Sequence, residues 1–214
     1  MTAFSADDRS KLLLAVGAMA LVVLASNILV QHPIQAFGLQ DWLTFGAFTY
    51  PFAFLVTDLA NRRFGPAAAR KVVYAGFALA VALSIYFATP RIAIASGVAF
   101  LTAQLLDVAI FNALRAKAWW IAPLTSSVLA SALDTALFFS LAFACGPVIG
   151  GLTITQMLGA VGIPDACIAL PWQTLAVADY LVKLAVSAVA LVPYGALVAR
   201  MRRAEDGEGA RGTA

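Results

Sequence analysis

Tyr50-Pro51-Phe52-Ala53-Phe54-Leu55-Val56-Thr57-Asp58-Leu59-Ala60-Asn61-Arg62-Arg63-Phe64-Gly65 runs without a break from an apolar segment into a carboxylate, an amide and two guanidiniums. In a soluble protein this would be an ordinary helix end. Here it closes one of about six hydrophobic spans, so Asp58 is expected where hydrocarbon gives way to headgroups. An acid at that depth is costly unless something pairs with it, and ionisable residues in spans are functional candidates by default.

The rest of the chain sets that context. Of 214 residues 62% are hydrophobic and only 12% are charged, with a mean hydropathy of +0.90. A soluble domain carries roughly a quarter charged residues, so the composition predicts an all-α polytopic membrane protein. About 20 apolar residues span a hydrocarbon core of roughly 30 Å. Six segments qualify: Lys11 to Gln31, Trp42 to Thr57, Val72 to Ala88, Ile92 to Asn112, Ile121 to Ile149, and Trp172 to Ala199. The last two exceed the need, which predicts tilt or a kink at Pro147 or Pro193. Gly150 to Pro171 is too interrupted to span, and a short interfacial helix is expected around Thr155 to Ala160. The expected organisation is a tail over residues 1–10, a six-helix transmembrane domain over 11–199, and a basic, then flexible, tail over 200–214. No cleavable signal peptide is expected, because the first apolar run exceeds a typical signal core.

Orientation follows from the basic residues. Twelve of the fourteen lie on one side, in the N-terminal tail, the Arg62–Lys71 connection, the Arg115–Lys117 connection and the C-terminal tail; Arg91 lies alone on the other side, and Lys183 is inside the sixth span. Both termini are therefore expected in the cytoplasm, across a bacterial inner membrane. The net charge of +3 follows from this topology and does not imply nucleic-acid binding.

Several chemistries find no support. No Cys/His cluster has metal-ligand spacing, and the single His32 precedes Pro33 in an outer loop. There is no Gly-rich phosphate loop, nucleophile elbow or His-Glu-x-x-His motif. ATP hydrolysis and intramembrane proteolysis by this chain alone are unsupported, and no cofactor is implied. Cys145 and Cys167 both fall on the outer side, where a disulfide and two separate thiols stand as alternatives.

The polar residues of the spans remain. Asn27 follows Ser26 in the first. Gln104 and Asp107 share a face of the fourth at i, i+3. Ser127, Ser131 and Asp134 share a face of the fifth, with Asp134 about 20 Å from its inner end at 1.5 Å per residue. Asp179 and Lys183 form an i, i+4 pair in the sixth. That pair reads either as self-neutralising or as a ligand site, and the two serines as packing contacts or ligands. Asp58 with Arg62 reads as an anchor of the inner helix end, while unpaired carboxylates such as Asp107 and Asp134 have no simple structural excuse. Trp119 and Trp120 read as interfacial belt residues. Inward-facing acids and amides, short loops and no catalytic triad suggest a small-molecule transporter rather than a membrane enzyme.

The Tyr50–Gly65 stretch resembles the signature of the queuosine precursor transporters, a vitamin-uptake-like family. Ser26-Asn27-Ile28-Leu29, Ala103-Gln104-Leu105-Leu106-Asp107-Val108, Leu133-Asp134-Thr135 and Tyr180-Leu181-Val182-Lys183 with Pro193-Tyr194 resemble its other motifs, over roughly residues 11 to 200. The resemblance implies six helices, a fold related to the substrate-binding subunits of energy-coupling-factor vitamin transporters, and uptake of a 7-deazaguanine such as preQ0, preQ1 or queuine for tRNA modification. A deazaguanine presents adjacent ring N–H and amine donors, which one carboxylate can accept together; Asp134 or Asp107 is the expected acceptor. Gln104 and Asn27 would serve the carbonyl and pyrrole N–H, and Phe111 or Phe138 would stack on the ring. Asp179, beside Lys183, would favour the cationic aminomethyl group of preQ1. Asp58, Asn61 and Arg62 would gate or anchor the inner end. The alternative is a subunit that docks an energy-coupling ATPase, but Ala15, Gly17, Ala18, Ala20 and Ala25 of the first span offer no small-xxx-small pair. The expected partners are the small-molecule substrate and the lipid bilayer, and a homodimer is reasonable for so small a bundle.

Overall fold

Hydrocarbon offers backbone N–H and C=O groups no partner but each other, so a spanning chain must be helical. A computed structural model describes residues 6–36, 38, 43–146, 152–162 and 172–212. Eight helices account for most of them: α1 (Ala6–Leu29), α2 (Gly46–Thr49), α3 (Phe52–Phe64), α4 (Pro66–Phe87), α5 (Pro90–Leu114), α6 (Ile121–Phe143), α7 (Ile154–Ala160) and α8 (Trp172–Gly212). Five of these, α1, α4, α5, α6 and α8, are long and apolar enough to cross a membrane.

The expected second span, Trp42 to Thr57, differs most. Trp42 lies outside the described residues, and the helix is broken at Tyr50–Pro51. Proline has no N–H to give to the preceding turn, so α3 restarts with Pro51 as its N-cap. It then runs past Thr57 to Phe64, where Gly65 ends it at φ 83° and Pro66 opens α4. Asp58 is therefore not at the helix end. It lies six residues inside a helix, roughly 9 Å from its end, and is 2% exposed.

Although short, α3 packs against all five long helices. Its polar residues Thr57, Asp58 and Asn61 are buried along with Ala53, Phe54 and Ala60, so the helix need not present an apolar face to lipid. The α1–α4 contact closes at Gly76, where a Cβ would come within 2.6 Å of the Met19 side chain. α2 folds back onto the end of α1, with Gly46 against the Val30 backbone and Ser26 donating to Thr49 at 3.0 Å.

The basic residues gather at one end. Asp8 near the start of α1 meets Arg63 at 3.6 Å, and Val198 of α8 packs near Phe111, Leu59 and Leu114. Both ends of the bundle's chain thus approach the same face. α8 continues through Arg200, Arg202 and Arg203 to Gly212 instead of stopping at Ala199, and Pro193 lies within it.

At the opposite end Arg91 is buried, which the basic-residue count alone did not suggest. Its guanidinium donates to Leu141 O (3.1 Å), Ala144 O (2.7 Å) and Thr155 Oγ1 (3.4 Å). It thereby caps the last carbonyls of α6 and ties α7 to them, a favourable place for a cation. α6 ends at Phe143, short of the expected Ile149; Pro147 is outside the described residues. The expected interfacial helix is α7, opened by a capping box between Thr153 and Gln156. Cys145 is exposed and is not a free thiol, while Cys167 lies outside the described residues.

Charge-assisted hydrogen bonds contribute about 1.5–3 kcal/mol each. Arg91→Ala should therefore lower the thermal unfolding midpoint in detergent clearly, and Arg91→Lys should restore it only in part, since a single ammonium lacks the fork.

Candidate functional site

The buried polar side chains of α3, α5, α6 and α8 fall into three levels, called outer, middle and inner in order from the Arg91 end of the bundle to its basic end. At the outer level Lys183 of α8 reaches Asp134 of α6 at 2.7 Å and Asp179 of its own helix at 2.5 Å. Lys183 and Asp134 are almost fully buried, and Asp179 is partly exposed. Thr135 accepts from Lys183 at 3.0 Å and donates to Asp179 at 2.8 Å. Tyr50, freed by the break before α3, donates to the second oxygen of Asp134 at 3.0 Å and lays its ring 5.5 Å from the ammonium. Asp134, expected to be unpaired, thus has both oxygens engaged. The i, i+4 pair is one part of a three-charge cluster across two helices.

The middle level lies between α3 and α5, which run parallel. Thr57 donates to Gln104 Oε1 at 2.6 Å, and one turn further in Asn61 donates to Val108 O at 3.0 Å, both at a sequence offset of 47. Between these rungs lie the buried acids Asp58 and Asp107, one from each helix, and Ser126 of α6 donates to Asp58 at 3.4 Å. Eight residues of α6 separate Ser126 from Asp134, so this level lies roughly 12 Å inward of the outer cluster. Among the described residues five buried side-chain atoms have no hydrogen-bond partner: Gln104 Nε2, both oxygens of Asp107 and Asn61 Oδ1 at this level, and Ser131 Oγ between it and the outer cluster. Buried polar groups are usually satisfied, so their gathering marks the place where a polar ligand would complete the structure.

The inner level is a lock. Arg62 donates to Tyr194 Oη (3.1 Å), Arg115 O (2.8 Å) and Trp119 O (3.4 Å), with its guanidinium 5.3 Å over the Phe111 ring. Arg115 answers by donating to Arg62 O at 3.2 Å, so each arginine caps the other's helix. Trp119 stacks on Tyr194 at 6.5 Å, which gives it a structural partner beyond the headgroup belt. A cleft lined by Pro51, Asp58, Ser127, Ser187, Leu191 and Tyr194 runs between these levels. Its free space is about 20 Å³, enough for about one water molecule and too small for a bicyclic base.

The structure brings Gln104 and Asp107 together with Asp58 and Asn61, and Asp134 together with Asp179 and Lys183. It does not bring Asn27 to either group. Asn27 is half-buried on α1, with its amide donating to Val23 O at 2.9 Å; α1 packs on α2, α3 and α4. Phe138 packs edge-on against Phe139 and Phe143 at the outer end, and Phe111 sits under Arg62 at the inner end. Neither ring is at the middle level. Tyr50, Thr57, Ser126, Thr135, Tyr194 and Arg115 were not singled out by sequence, although Tyr50, Thr57, Thr135 and Tyr194 stand in the quoted motifs.

Breaking a buried ion pair by removing one partner costs about 3–5 kcal/mol, because a charge is left uncompensated. Lys183→Met should therefore destabilise the protein strongly. Lys183→Met combined with Asp134→Asn should cost less than the sum of the two, a coupling that thermal unfolding of all four variants reads directly.

A family model described as "Putative vitamin uptake transporter" matches residues 44–89 and 84–198. The chain is 34% identical to the "Queuosine precursor transporter" of Escherichia coli (strain K12), over 92% of this chain and 91% of that protein. It is 33% identical to the "Probable queuosine precursor transporter" of Haemophilus influenzae, over 83% and 82%. The protein of the same name from Bacillus subtilis (strain 168) is 28% identical, over 82% and 79%. No solved structure matches the chain.

Proposed function

This chain belongs to the vitamin-uptake-like family of queuosine precursor transporters, and on that premise we propose that it imports a 7-deazaguanine across the bacterial inner membrane, seated on Gln104 and Asp107. The observation that carries this reading is the order of unpartnered atoms on one face of α5. Gln104 Nε2 is a donor, and one turn further in the two Asp107 oxygens are acceptors. The Watson–Crick edge of a 7-deazaguanine presents acceptor, donor and donor: the carbonyl, the ring N–H and the exocyclic amine. The two sequences are complementary, and a carboxylate accepting two N–H groups gives a charge-assisted bidentate pair. Asn61 Oδ1 and Ser131 Oγ, also unpartnered, offer further polar contacts nearby.

Asp107 is favoured over Asp134 for this role because Lys183 and Tyr50 already engage both oxygens of Asp134. The outer cluster then serves to hold α8 against α6, and its partly exposed Asp179 offers a contact for the cationic group of preQ1 during entry. In this reading the α2–α3 unit serves as the sixth crossing, and the concentration of arginine and lysine at one end supports a cytoplasmic location for that end and both termini. Since the central cleft is too small for a base, loading and release require the helices to separate. The Arg62–Tyr194–Trp119 lock is the part that would open toward the cytoplasm.

Direct binding of preQ0, preQ1, queuine and a panel of vitamins to purified protein tests the reading. The deazaguanines should bind and the vitamins should not. Asp107→Asn should weaken binding by about 100-fold, in line with losing roughly 3 kcal/mol of charge-assisted hydrogen bonding. A 7-deazahypoxanthine, which lacks the amine, should bind weakly to the unaltered protein. Unchanged uptake in both Asp107→Asn and Asp134→Asn would overturn the seat.

A further inference from the structure

We propose that Asp58 and Asp107 together hold a single proton, carried on Asp58, and that this proton sets the form of the seat that binds the base. The inference rests on the reading of Asp107 as the substrate acceptor. Its basis is a juxtaposition that two ionised groups would not keep: the Thr57–Gln104 and Asn61–Val108 hydrogen bonds hold α3 on α5 with Asp58 and Asp107 between them, and the two acids are 2% and 0% exposed. A carboxylate is only an acceptor, so two of them hydrogen-bond only when one keeps a proton. Like charges at this distance in a water-poor interior cannot both ionise freely.

The surroundings supply no cation to take the proton's place. Among the described residues neither acid forms a salt bridge. Arg62, one turn inward on α3, is the nearest basic side chain acting on Asp58, but its donors are directed at Tyr194, Arg115 and Trp119. From α6 the facing group is Ser126, and from α8 it is Tyr194, already engaged by Arg62. The buried residues of α4 are Ala68, Ala69, Val72, Val73, Gly76, Ala80 and Ser84, none of them titratable. Those of α1 are Met19, Val23 and Ser26, again none. Lys183 is committed to the outer acids.

This arrangement gives the two acids different work. Asp58 also lines the narrow cleft beside Ser127 and Tyr194, which has room for about one water as the partner for proton exchange. Asp107 shares a face of α5 with Gln104, and with Asp58 donating to one of its oxygens each oxygen still has a lone pair for an N–H donor. With one proton on the pair, Asp58 donates to Asp107 and leaves it an ionised acceptor for the base. With two protons Asp107 loses that character, and with none the pair repels and the seat opens. No covalent bond changes; a proton moves between Asp58 and water. Asp58 is thus a positioning residue that acts through Asp107.

Two measurements test this. Infrared spectra of the ligand-free protein at neutral pH should show the carbonyl stretch of one buried protonated carboxyl, lost in Asp58→Asn; its absence from the unaltered protein would overturn the shared proton. Affinity for preQ0 should fall at both acid and alkaline pH, by about tenfold per pH unit beyond each limb as expected for one proton. Asp58→Asn supplies a donor that cannot dissociate, so it should keep the acid limb, lose the alkaline limb and bind well between them. An unchanged pH profile in Asp58→Asn, or affinity that follows sodium concentration instead of pH, would overturn the role. A thermal midpoint for Asp58→Asn near that of the unaltered protein certifies the fold; if it falls, Asp58→Glu, which can still hold the proton, should keep both limbs. Failure of the unaltered protein to bind any deazaguanine would overturn the proposed substrate, and the infrared band would still decide the proton.

Discussion

Lys183 carries a full positive charge into a part of the bundle where little water can solvate it. Its position is tenable because Asp134, Asp179 and Thr135 surround the ammonium and the Tyr50 ring lies beside it. Much of the architecture follows from meeting this demand. Asp134 and Lys183 set the register of α6 against α8. Tyr50 reaches Asp134 from the turn between α2 and α3, where Pro51 interrupts the helical hydrogen bonding. A charge in hydrocarbon is costly enough that satisfying it constrains three separate segments of sequence.

The middle level reverses that logic. Its acids form no salt bridge among the described residues, and one atom of each amide and the Ser131 hydroxyl lack partners. A protein interior leaves such groups open where something else is meant to fill the place, or where strain serves a function. The contrast between a satisfied outer cluster and an unsatisfied middle one separates residues that hold the bundle together from residues that wait for a ligand. The arginine pair at the inner end belongs to the first kind: it closes two helix ends and covers the route below the acids.

Some of the site was legible without coordinates. The i, i+3 relation of Gln104 and Asp107 put them on one face, and the i, i+4 relation of Asp179 and Lys183 predicted an ion pair, because helical periodicity fixes which neighbours along one helix can meet. The third member of that pair was not readable. Asp134 is 49 positions from Lys183, and nothing in either helix states the rotation at which they face. Asn27 illustrates the opposite error: it is polar and lies within a span, yet its amide bonds back to Val23 on its own helix. The two phenylalanines expected to stack on a base lie at opposite ends of the bundle, since aromatic character says nothing of depth. Arg91 was noticed as a lone cation on one side, but its role as the cap of α6 needed the fold.

Composition and periodicity determined the membrane class, the helical form of the spans and the bias of basic residues to one end, because each depends on local hydrophobicity or charge. They also marked Asp58 as unusual. Only the tertiary structure decided what is unusual about it. The acid lies well inside the central helix against a second acid, while the arginines that follow it turn away to close the inner end. Which buried charges neutralise one another depends on helix rotation, register and breaks, and these are set by packing among segments far apart in the chain.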